Sequence, residues 1–157
     1  MINFNNLLKK YDYRDGSIVF FNYQLKSILI LSSLFFLSNV FFGICYDEYI
    51  YSILFFFLTM TSLFCHYYRN YLFNILDKIA ILFVIIYGAY RLLIKFENTN
   101  FLTLSSILSS FFVVIYLYIY GFIYNKLCFD SNIHTANNYH FFLHLISCIG
   151  HNLIIFL

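Results

Sequence analysis

Five runs of roughly twenty apolar residues, each cut off by a short polar break, constrain this chain more than any other feature of it. A helix of about twenty residues matches the hydrocarbon thickness of a bilayer, so each run is predicted to cross a membrane once. The runs cover roughly 26–45, 49–67, 72–94, 101–124 and 137 to the end, and the breaks between them carry Asp47-Glu48, Tyr67-Tyr68-Arg69-Asn70, Arg91 to Lys95 and the long polar stretch NKLCFDSNIHTANN. A transmembrane barrel needs alternating polarity, which is absent, whereas helices satisfy their backbone hydrogen bonds internally. The fold class expected is therefore all-α, a polytopic membrane bundle of five helices. Without proline and with few glycines in the runs, nothing forbids straight helices.

Composition closes off the soluble alternative. The chain is 62% hydrophobic and 10% charged, where a water-facing domain has about 25% charged residues. A formal net charge of +2, scattered along the chain, gives no basic patch for a nucleic-acid partner. Residues 1–25 mix Asn, Lys, Arg and Asp with short apolar pieces, lack the h-region of a signal peptide and read as a polar arm, leaving 26–157 as the transmembrane domain. Cys45, Cys65, Cys128 and Cys148 show no CxxC spacing, so neither a disulfide framework nor a cysteine zinc site is expected.

Loop charge predicts orientation. Lys9, Lys10, Arg14, Lys26, Arg69, Lys78 and Lys126 fall on the arm's side of the membrane, against Arg91 and Lys95 on the other. The positive-inside rule then puts the N-terminus in the cytosol. An endomembrane such as the endoplasmic reticulum is the expected location.

Ionisable groups inside spanning helices are expensive, which makes each a candidate for function. Ser62 and His66 lie one turn apart near the end of the second run, and Asp77 follows eleven residues after His66. The last run opens with His140 and His144, again one turn apart and able to grip one ion together. Since successive helices alternate direction, all five positions fall at one depth on the arm's side. Three neutral imidazoles plus water make a catalytic zinc shell with an open fourth position.

The order S-x3-H, then D, then H-x3-H on the last helix resembles the alkaline ceramidase superfamily, which includes the progestin and adipoQ receptors, the post-GPI-attachment lipid remodelling proteins and myomaker-like proteins. Gly150, six residues after His144, matches a glycine that commonly follows the pair. The resemblance implies that His66, His140 and His144 hold Zn2+, and that Ser62 and Asp77 hold the water it activates. Family members usually have seven spans. The chain is thus expected to be a shortened form that lost two helices between its third and fifth runs, and self-association into a homo-oligomer would replace the missing walls. The implied activity is zinc-dependent hydrolysis of a membrane lipid amide or ester, most simply ceramide. Asp77 would accept and return a proton while Ser62 stabilises the oxyanion.

Each residue also has a plainer reading. Paired histidines act as polar glue between helices, and serine back-bonds its own helix. Asp77 suits a helix N-terminal end or pairs with Lys78 or Arg69. On that side stands a non-enzymatic receptor, fusion or structural protein that keeps the metal for architecture. A di-iron desaturase needs about eight histidine-box ligands, and the chain has 5 histidines. His151 lies about 10 Å along the helix from His144, too far to share an ion. It is expected to be an interior polar contact, His134 a solvated loop residue, and the tyrosines and phenylalanines lipid-facing or interfacial.

Overall fold

A computed structural model describes residues 23–68 and 71–157, with side chains from residue 28 onward except Asn98. The predicted arm falls almost wholly outside these residues, as do Lys9, Lys10, Arg14 and Arg69. The described residues form an all-α bundle containing no strand. The helices are α1 (Tyr23–Ser33), α2 (Phe36–Cys45), α3 (Tyr49–Tyr68), α4 (Tyr71–Lys95), α5 (Phe101–Ile115), α6 (Gly121–Tyr124) and α7 (Ile133–Phe156). Five segments are long and apolar enough to cross a bilayer: Ile28–Cys45, Tyr49–Tyr68, Tyr71–Lys95, Phe101–Tyr124 and Ile133–Phe156. The outer surface is covered by exposed Leu, Ile, Phe and Tyr side chains. An integral, multi-pass membrane protein fits these features.

Two spans depart from straightness. In the first, Leu34 and Phe35 separate α1 from α2, with i→i−3 backbone bonds from Leu34 to Leu31 and from Phe35 to Ser32. The cause is the serine pair just before the break: the hydroxyls of Ser32 and Ser33 both donate to Leu29 O at 2.9 Å and compete with the regular ladder. In the fourth, a wide π-type turn over Tyr116–Tyr120 joins α5 to α6. The absence of proline was thus insufficient to keep these spans straight.

The last helix begins at Ile133, four residues earlier than the apolar run suggested, because the Asn132 side chain accepts from the amides of His134 and Thr135. His134 is therefore exposed in a first helical turn, not in a loop.

Close contacts fix the packing. Asp47 adopts φ 58, which lets α2 reverse into α3 within three residues. A Cβ on Gly43 would collide with Ser52 Oγ, so a glycine is what brings α2 against α3. Between α2 and α7 runs a polar seam in which Asn39 Nδ2 donates to Cys148 O at 3.0 Å and to Asn152 Oδ1 at 2.8 Å, the kind of cross-helix bonding that substitutes for hydrophobic drive in lipid. The core centres on Phe36, Tyr51, Phe55, Val84, Ile107, Ile154 and Ile155. Although consecutive in the chain, α4 and α5 do not pack side by side; α5 lies against α7 instead.

Candidate metal centre

The topology carries four helices past a common level in alternating directions. His66 is in the last turn of α3, Asp77 in the second turn of α4, and His140 and His144 face the same interior from α7. One potential ligand atom from each of His66, His140 and His144 lies within 4.8 Å of the others, the one such group among the described residues. Ring centroids are 5.1 Å apart for His66–His140, 5.4 Å for His66–His144 and 4.8 Å for His140–His144. A closed tetrahedral shell with metal–nitrogen bonds of about 2.0–2.1 Å needs about 3.4 Å between nitrogens. The three ligand atoms reach separations of up to 4.8 Å, so the rings would have to draw together to close such a shell. A trio of imidazoles is a donor set that several divalent transition metals accept, so the geometry alone selects none of them.

The surroundings orient one ring. Ser32 Oγ lies 2.9 Å from His144 Nδ1, and its own proton goes to Leu29 O. With that proton on Leu29 O, His144 is the donor from Nδ1–H, a tautomer that leaves the Nε2 lone pair for an ion. The Phe36 ring, 5.2 Å away by centroid, packs against the same imidazole. Ser62 is buried, and its Oγ sits 2.9 Å from Ser33 Oγ. Because Ser33 donates to Leu29, the proton of Ser62 points to Ser33, and donation to any bound oxygen requires that hydroxyl to turn away.

Asp77 is 5% exposed. Its Oδ2 accepts from Lys78 Nζ at 3.1 Å, while its Oδ1 is buried and has no hydrogen-bond partner among the described residues. That unpaired oxygen belongs to a residue lining the same cavity as His140 and His144, and it is able to accept a hydrogen bond from a water or a polar ligand. Lys78 Nζ also lies 5.5 Å from the centroid of the Tyr118 ring, on the wide turn of the fourth span.

Ser62, Asp77, His140 and His144 line one cavity of ≈ 300 Å³, together with apolar side chains from α3, α4, α5 and α7. The five predicted positions are thus gathered at one level, His66 through its contact with the other two rings. The sequence reading missed Ser32 and Ser33. Their signal was present as two adjacent hydroxyls in an otherwise apolar span, and only the break after them turns both toward α3 and α7. It also missed Tyr51, a buried aromatic whose hydroxyl lies 2.7 Å from His151 Nδ1. His151 itself is the interior polar contact expected of it.

Comparison with protein-family models, curated proteins and solved structures finds no match to this chain.

Proposed function

We propose that this protein is a zinc-dependent intramembrane hydrolase acting on a lipid amide or ester, ceramidase-like in its chemistry and a shortened form of the seven-helix superfamily it resembles. The observation that carries the reading is the convergence of three imidazoles, two of which line the same largely apolar cavity as Asp77, whose Oδ1 has no partner among the described residues. A zinc ion held by His66, His140 and His144 would supply Lewis acidity, activating water and polarising a carbonyl. The chain's own residues do the rest. Asp77 would accept a proton through Oδ1 and return it to the leaving group, while Lys78, bound to Oδ2, holds that carboxylate in place. Ser62 serves as a positioning hydroxyl that exchanges its bond to Ser33 for one to the reacting group. Apolar walls exclude bulk water and strengthen each of these interactions.

The same reading takes the N-terminus as cytosolic, an endomembrane as the location, and association of chains as the source of additional walls around the site.

One observation favours the non-enzymatic alternative, a receptor, fusion or structural protein with an architectural metal: Asp77 is already ion-paired with Lys78, as a purely structural carboxylate would be. Metal content per purified chain separates the readings when combined with turnover. Native protein is expected to carry one zinc, His140→Ala to lose it, and Asp77→Asn to keep it while losing hydrolysis of a lipid amide such as ceramide. Absence of metal from the native protein would sink both metal readings, and full activity in Asp77→Asn would remove Asp77 from the chemistry.

A further inference from the structure

The cavity that starts at the histidine cluster does not end in hydrocarbon. Its middle is formed by Leu58, Ile81, Val84, Phe111, Val114 and Leu143, and its far end carries Ser110 and His151. His151 is 2% exposed, and its Nδ1 is occupied by the Tyr51 hydroxyl at 2.7 Å. The buried phenol has no other hydrogen-bond partner among the described residues, so we assign its proton to Nδ1, which puts the ring proton on Nε2, the nitrogen left to the cavity that His151 lines. The Ser110 hydroxyl spends its proton on Ile107 O at 2.7 Å, so toward the cavity it offers only lone pairs. One donor and one acceptor therefore share this end. A group that accepts from the first and donates to the second is a hydroxyl.

Glycines hold this end together. A Cβ on Gly88 would come within 2.8 Å of Tyr51 Oη and 2.9 Å of His151 Cε1, and one on Gly150 would strike Ser110 Oγ. The Tyr51–His151 pair is thus seated against α4 only because position 88 has no side chain.

Size and access define the occupant further. At ≈ 300 Å³ the space is at the lower limit of about 300–1,000 Å³ for ligand pockets, enough for one hydrocarbon chain and too little for a two-tailed lipid. Ile85, Ile115 and Ile119 line it and are also 44%, 50% and 51% exposed on the outer surface, which opens the cavity to the bilayer between α4 and α5. From His144 to His151 the helix rises about 10.5 Å. An extended alkyl chain with C–C bonds of about 1.5 Å advances about 1.25 Å per carbon and covers that rise in about eight carbons. An unsubstituted chain would bury the His151 N–H without a partner.

We propose that the cavity binds a single long-chain acyl group bearing a mid-chain hydroxyl, with its head group at the histidine cluster and the hydroxyl between His151 and Ser110. This deepens the hydrolase reading by naming the acyl chain of its substrate, and rests on that reading only for what happens at the head group.

The test is equilibrium binding of free acids, which contain no bond to hydrolyse, to the full chain in detergent. Octadecanoic acid, its 2-hydroxy form and its 9-hydroxy form compete against a fluorescent fatty acid. The 9-hydroxy acid is expected to bind about tenfold tighter than the other two, the effect of one buried hydrogen bond. In His151→Phe that preference should vanish while the affinity for octadecanoic acid persists, which reports an intact cavity. Equal affinities for the three acids in the native chain would overturn the proposal without any variant, as would a 9-hydroxy preference that survives in His151→Phe. Metal content and turnover are separate readouts, so failure here leaves the hydrolase reading standing, and failure of that reading leaves the acyl site standing.

Discussion

The two ends of this bundle handle buried charge in opposite ways. At the end distant from the histidines, Glu48 is 7% exposed and is gripped by Arg91 Nη2 and by Lys95 Nζ, the latter at 2.9 Å. Lys95 also donates to Ile154 O and Ile155 O at 3.2 and 3.3 Å, closing the last turn of α7. The group ties the α2–α3 turn, α4 and α7 together through one carboxylate oxygen, Glu48 Oε1, which takes both cations, while Arg91 Nε is buried without a partner among the described residues. At the histidine end, Asp77 has Lys78 on one carboxylate oxygen and no partner among the described residues on the other, and three imidazoles converge nearby on α3 and α7. Two cations on one carboxylate hold three elements together at the first end, whereas the unpaired oxygen at the second belongs to a residue that lines a cavity.

The strongest test of that contrast is Glu48→Gln. It strands two cations in a largely buried setting, and breaking a buried pair costs about 3–5 kcal/mol. Unfolding in mixed detergent micelles should show a loss of that order, with metal content unchanged in whatever remains folded. Equal stability in the variant would mean that this end is no more structural than the other.

Ser32→Ala sharpens the comparison from the histidine end. Removing the hydroxyl that orients His144 leaves the three imidazoles in place but frees the tautomer, and partners of this kind typically contribute 10–100-fold in metal affinity. Chelator competition measures it, with little change expected in the unfolding midpoint. An unchanged affinity would make the Ser32 contact mere packing.

The smallest effect is that of pH on the Glu48 end. Burial opposes the charge on Glu48, but the hydrogen bonds from Lys95 and Arg91 outweigh it and hold its carboxyl below the usual carboxylate range. A lowered folded-state value means that the unfolded chain binds the proton more readily. The contribution is therefore fully present above about pH 4.3, the ordinary glutamate value, and is lost as pH falls through the folded one. Acid titration of the unfolding midpoint should show this sag in the native protein and a flatter profile in Glu48→Gln.

Much of the fold was legible in the sequence because apolar run length is a one-dimensional property that the bilayer reads directly. The starts and stops of α3 and α4 fall within a residue or two of the polar breaks. The early start of α7 was not foreseen, since a polar helical turn capped by Asn132 looks like a loop when only hydropathy is followed. The candidate site was legible for a related reason: alternating helix direction fixes depth, so Ser62, His66, Asp77, His140 and His144 could be assigned to one level by counting. Counting could not reach Ser32, Ser33 or Tyr51. Their depths admit several partners, and which one each meets depends on rotation about the helix axis.

By itself the sequence determined that this chain is a bundle of five apolar helices with its polar groups confined to a few depths, because desolvation penalises any other placement of those residues in lipid. Only the tertiary structure decided which polar groups face each other: the break at Leu34 and Phe35 turns Ser32 to His144, glycine at 88 admits the Tyr51–His151 pair, and the separation of α4 from α5 leaves a cavity where a packed seam would otherwise run. These outcomes depend on differences of an ångström in close packing between helices, and such differences are set by all the neighbours at once, not by any stretch of chain alone.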